Sequence, residues 1–186
     1  MNSTVLAVVA VAVVCVVGLI AMSRARAQTP RAADPAVYTD LRNKALSVSR
    51  KALGLPASPA PVAALMDIGA DGYTITTVAF EDGTASIYLS NGGGFIGGGQ
   101  RHETIKNAAL DMLKAAERTS KAMTPVKSHP LPDAGHTSFF VVTDSGVYSA
   151  SAATKDIESG PQHPLHALYA AGQNIITQYR LTQQTK

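Results

Sequence analysis

The segment Asn91–Gly99 holds six glycines in eight residues, and Gly92, Gly94 and Gly97 fit the spacing G-x-G-x-x-G. It follows a strand-like run and precedes a helix-like one. Backbone N–H groups of such a loop, together with the first turn of a following helix, form a ready site for an anion. Gly92, Gly93, Gly94, Gly97, Gly98 and Gly99, with Arg101 as a cation beside them, are therefore the candidate ligand-binding residues, and a phosphate or other anion is the matching ligand. A dinucleotide fits poorly. The preceding strand sits in a hairpin, and no acidic residue ends a second strand about 20 residues on. A P-loop needs Gly-Lys-Ser/Thr at the end, which is absent. The alternative is structural: glycine tolerates positive φ and lets backbones approach closely. His102 and Glu103 open the next helix, where Glu103 also suits the helix dipole.

Other chemistry has thinner support. His163-x-x-His166 places two imidazoles three apart, and His129, Asp133 and His136 share one loop. A zinc or copper site needs three or four such ligands to converge, so capping or exposed histidines are expected and no metal is assigned. No G-x-S-x-G elbow occurs, and the single cysteine, Cys15, lies in an apolar run. No catalytic residue and no cofactor are therefore assigned, and the chain is expected not to be an enzyme.

The elements that would position these residues begin with Val5–Met22, an 18-residue run without charge. As a helix it would be about 27 Å long, close to the thickness of a bilayer core. Residues 1–23 are thus expected to be a transmembrane anchor, with membrane contact through residues 5–22. Arg24 and Arg26 follow directly, which by the positive-inside rule puts the N-terminus outside and the rest in the cytoplasm. Ala25-Arg26-Ala27 also fits signal cleavage after Ala27, giving an exported form as the alternative. Residues 24–51 carry seven basic and two acidic residues, a net of +5, whereas residues 52–186 carry nine basic and eleven acidic, a net of −2. The pI of 9.1 thus belongs to a juxtamembrane segment, and no nucleic-acid binding is expected of a domain without a cationic surface.

Asp34-Pro35 starts a helix, whose apolar stripe is expected at Val37, Leu41, Ala45, Val48 and Ala52, with its basic residues on a solvated or lipid-facing side. Gly54 and the Pro-rich stretch to Pro61 end this 24–61 segment. The domain then spans 62–186. Strands are expected at Val62–Ile68, Tyr73–Phe80 and Thr84–Leu89, helices at Glu103–Met123 and Pro164–Leu181, and a hairpin at Ser138–Thr143 and Val147–Ala152. The sum is an α+β domain, an antiparallel five-stranded sheet with packed helices.

The run Asp82-Gly-Thr-Ala-Ser-Ile-Tyr-Leu-Ser-Asn-Gly-Gly-Gly-Phe-Ile-Gly-Gly-Gly99 resembles a signature of a family of uncharacterised bacterial proteins. The likeness extends through the next helix, Phe139–Gly146 and His163–Arg180, and implies a fold without an activity. The element order is similar to the profilin-like roadblock and longin domains, which are dimerising scaffolds near small GTPases and membranes. The expected function is a membrane-anchored, non-catalytic interaction module with a homodimer or another protein as partner. A small-anion binder using the glycine loop is the alternative.

Overall fold

The computed structural model describes residues 35–184. Strands β1 (Ala63–Ala70), β2 (Tyr73–Phe80) and β3 (Ala85–Leu89) form a meander, followed by β4 (Gly94–Phe95), a 3-10 turn at Gly98–Gln100 and helix α2 (Glu103–Ser120). Strands β5 (Thr124–Val126), β6 (His136–Thr143) and β7 (Gly146–Ala153) come next, then helices α3 (Thr154–Glu158) and α4 (His166–Gln184). Helix α1 (Pro35–Leu46) precedes the sheet. All seven strands are antiparallel, in the order β4-β3-β2-β1-β6-β7-β5.

Alternation along the strands sends side chains to two faces. Ala64, Met66, Ala79, Ile87, Phe139 and Val141 face α2 and α4 and pack with Ile105, Met112, Leu168 and Ile175. Ala63, Leu65, Val78, Tyr88, Phe140 and Val142 face the other way and meet Tyr38, Ala45 and Leu46 of α1. The central strand β1 is buried on both faces, which is why it reads as an apolar run broken only by Asp67. Gly172 of α4 lies against Met66, where a Cβ would sit 2.7 Å from the thioether, so close helix–sheet packing keeps this position glycine.

Several expectations are corrected. The sheet has seven strands, not five. β4 has two residues and β5 three, one of them Pro125; both are too short to show a period-two pattern. The run Val5–Met22, its orientation and the cleavage site at Ala27 lie outside the described residues. Among the described residues no helix is long and apolar enough to cross a membrane: α2 has the length but carries six charged side chains, Glu103, Lys106, Asp111, Lys114, Glu117 and Arg118. The fold class of the described residues is therefore α+β without a transmembrane helix, and none of their helices supports the expected membrane placement.

The stripe on α1 is also shifted. Val37 is 55 % exposed, while Tyr38, Arg42, Ala45 and Leu46 are the buried positions. Arg42 and Arg50, expected on a solvated side, are nearly inaccessible. Arg50 donates to the carbonyls of Ser58 (2.9 Å) and Ala60 (2.5 Å), pairs with Asp144 at 3.1 Å and with Glu81 at 2.9 Å. One guanidinium thus ties the Pro-rich connector to two hairpin turns, using the planar fork that lysine lacks.

Candidate functional site

The glycine loop closes one end of the sheet. Gly92 and Gly93 make the turn after β3, and Gly94 and Phe95 then return as β4, with Tyr88 opposite Gly94 and Ile87 opposite Phe95. Gly94 has φ +140°, and a Cβ there would lie 2.1 Å from the Ile87 carbonyl oxygen. Gly99 has the same reason in another form: its Cβ would meet the Gly83 carbonyl oxygen at 2.0 Å. The loop is pressed flat onto the β3 edge and the β2–β3 turn. Only glycine permits that approach.

Tyr179 of α4 bolts the loop down. Its hydroxyl accepts from the Gly98 N–H at 2.9 Å and donates to the Ala85 carbonyl at 2.6 Å. Burial raises this phenol above its ordinary value and keeps the donor proton in place. The Ala85 carbonyl on the β3 edge is thereby satisfied without a neighbouring strand. An exposed edge left unpaired would template pairing with other chains.

The donors that an anion would use are largely spent. Gly92 N–H donates to the Leu89 carbonyl at 2.9 Å and Gly97 N–H to Ser86 Oγ at 3.3 Å. Gln100 N–H goes to Gly97, and those of Arg101 and His102 to Gly98. Arg101 is exposed at the end of the 3-10 turn. The seven residues Gly92, Gly93, Gly94, Gly97, Gly98, Gly99 and Arg101 are thus brought together, with their amides turned mostly into the protein. The two large side chains that the loop tip presents outward are apolar. Ile96 is 70 % exposed and Phe95 41 %, and the Phe95 ring stacks on Tyr179 at 5.2 Å between centroids. The glycine spacing draws attention away from Phe95 and Ile96, the two large side chains that the glycines display.

A second polar cluster lies between α1 and the sheet. Arg42 donates to Asp67 Oδ2 through Nε (2.8 Å) and Nη2 (2.6 Å), and through Nη1 to the His129 carbonyl at 2.9 Å. Thr76 donates to Asp67 Oδ1 at 2.5 Å and shares a 2.9 Å hydrogen bond with the Tyr38 hydroxyl. Asp67 is fully buried on β1; burial pushes its carboxyl above the usual range, and Arg42 pulls against that shift. Arg42 also lies 5.1 Å over the Phe140 ring, and the His129 ring meets Phe140 edge-on at 5.6 Å. His129 Nε2 is buried without a hydrogen-bond partner, and desolvation, then the Arg42 charge, lower its pKa. The Asp67 side chain has no accessible surface, and its bonds run to Arg42 of α1 and Thr76, so it fastens α1 to the sheet. An Asp in an otherwise apolar strand was the signal in the sequence, because such a charge is kept only with a partner.

The histidine pairs do not converge. His163 Nδ1 caps the Leu165 N–H at 3.2 Å, and His166 Nδ1 lies 2.8 Å from the Ile157 carbonyl. Among the described residues no three His, Cys, Asp or Glu side chains are grouped to hold a metal ion. No protein-family model, curated protein or solved structure matches the chain.

Proposed function

We propose that this chain is a non-catalytic interaction module that associates with a second copy of itself through the tip of the glycine loop. The observation that carries the proposal is the exposure of Phe95 and Ile96 on a loop held to the domain by the β3–β4 pairing, the close approach at Gly94 and Gly99, and the Tyr179 hydroxyl. Large apolar side chains on a rigid support lose little entropy on binding, and burying each contributes about 1.5–3 kcal/mol. A two-fold arrangement would set the same tip on both protomers against each other. The buried amides of the loop leave less for an anion to bind.

Sedimentation equilibrium of the full chain and of Ile96→Asp tests this. A self-association weakened by about two powers of ten in the variant, at unchanged fold, is expected. An unaltered constant removes the loop tip from the interface. Small-molecule mass bound to the native chain, and lost in Gly94→Ala/Gly97→Ala, would instead favour the anion binder.

A further inference from the structure

The opposite end of the sheet is left open. β5 covers β7 only at Val147, Tyr148 and Ser149, and among the described residues no strand lies outside Ala150–Ala153. The phase of the ladder identifies the groups that face outward. The Thr154 N–H donates to the Gly135 carbonyl, on the β6 side, and the two-residue turn between Thr143 and Gly146 makes that pair hydrogen-bonded. Even-numbered residues of β7 therefore bond β6, and odd-numbered ones point away. Pro125, opposite Tyr148, falls at a non-bonding position as its missing N–H requires. The backbone N–H and C=O of Ser151 and the N–H of Ala153 are left facing outward, while the Ala153 C=O, at the N-cap of α3, is taken by that helix.

Both faces of this edge are hollow. On the α2/α4 face a groove of about 220 Å³ runs along Ala150 and Ala152 between Met123 and Ala122 on one side and Pro164 and Leu165 on the other, with no Asp, Glu, Lys or Arg in its lining. On the α1 face a cleft of about 380 Å³ is lined by Ser138, Ser149, Ser151, Phe140, Leu131 and Asp133. Ser151 borders both. Asp133 is the one charged residue of the second cleft and has no ion pair among the described residues.

We infer that β7 accepts an extended segment of another protein as an added strand, with apolar side chains opposite Ala150 and Ala152 and a lysine or arginine opposite Ser151. Opposed residues in a sheet share a face. The apolar side chains thus enter the groove along Ala150 and Ala152, while the cation enters the cleft that holds Asp133. Main-chain bonds to Ser151 and Ala153 supply affinity, and the two hollows supply selectivity. This surface is remote in the strand order from the glycine loop, and its occupancy is independent of self-association there.

The probes are two acetylated, amidated heptapeptides, Ser-Thr-Val-Lys-Val-Thr-Ser and the same peptide with Glu for Lys, titrated against the full chain by calorimetry with hydrogen exchange to locate binding. The lysine peptide is expected to bind and to protect residues 150–153, with a preference of about tenfold over the glutamate peptide. Asp133→Lys reverses that preference. Ser151→Pro removes an outward N–H and leaves the backbone bonds to β6, but it also loses the hydroxyl contacts with Ser138 and the Thr137 carbonyl; relative to Ser151→Ala, which loses only those contacts, it weakens binding about tenfold, with circular dichroism reporting that the sheet survives. The inference is overturned by no binding, by protection elsewhere, or by binding to folded Ser151→Pro no weaker than to Ser151→Ala. Peptide-free protection at 150–153 that disappears on dilution would also overturn it, because a second copy would then hold the edge.

Discussion

Replacing Arg42 with methionine tests how α1 is held, because it keeps an unbranched apolar stem and removes the guanidinium with its charge and donors. Arg42 makes three hydrogen bonds, two of them to the buried Asp67 carboxylate. Breaking such a pair costs about 3–5 kcal/mol, chiefly because one charge stays buried alone. Against a domain stability of about 5–15 kcal/mol this is a large share. The cost has a pH signature. Without Arg42 the Asp67 carboxyl, already raised by burial, rises further above its unfolded value of about 3.9. A raised acid favours the fold while protonated and loses that contribution as pH rises. The deficit of Arg42→Met relative to wild type therefore shrinks between pH 7 and pH 4.5, by at most about 1.4 kcal/mol per unit. Urea unfolding at both pH values, followed by circular dichroism since the chain has no tryptophan, measures it. Relief of His129 from the Arg42 charge acts in the same direction, and Arg42→Met/Asp67→Leu separates the two by restoring most of the stability at pH 7. A deficit that is the same at both pH values, or a double variant no better than the single, would refute the reasoning.

Four further outcomes are expected. His129 titrates below its ordinary value because of desolvation and Arg42, so its contribution to stability is present above pH about 6.5 and lost as the medium acidifies; His129→Gln flattens that part of the stability profile. Gly94→Ala combines a φ of +140° with a backbone clash and destabilises by more than the 1–3 kcal/mol or so of dihedral strain alone, whereas Gly97→Ala, with φ +68° and open space, costs about 1–2 kcal/mol; thermal unfolding ranks them. Tyr179→Phe releases the Gly98 N–H and Ala85 carbonyl and costs about 1–3 kcal/mol, with faster amide exchange confined to the glycine loop. Tyr169 is pushed up to about 12 by burial and then by Glu158; Glu158→Gln lowers that value in an ultraviolet absorbance titration.

Elements with period and punctuation were legible in the sequence. The β1–β2–β3 meander, the β6–β7 hairpin, α2 and the last helix all follow from apolar alternation, Asp-Gly turns and helical stripes. Short elements were not. β4 carries one side chain of any size, Phe95, and β5 contains Pro125, so neither shows a pattern that propensity could register. α3 has five residues and only Ile157 buried. The face of α1 departs from its sequence pattern for a different reason: Arg42 reads locally as a solvated charge, and Asp67, 25 residues later, makes it an inward anchor. Pairing across that separation is invisible to periodicity. At the loop, the glycines signalled close approach correctly, but which backbone they approach depends on the β2–β3 turn and Tyr179, which only the tertiary structure brings together.

The most direct measurement is native mass spectrometry of the full chain over a concentration series, run beside Ile96→Asp. A dimer that grows with concentration, carries no added mass and is lost in the variant is the predicted result. A monomer at every concentration, or a dimer indifferent to Ile96→Asp, would contradict the proposed interface at Phe95 and Ile96.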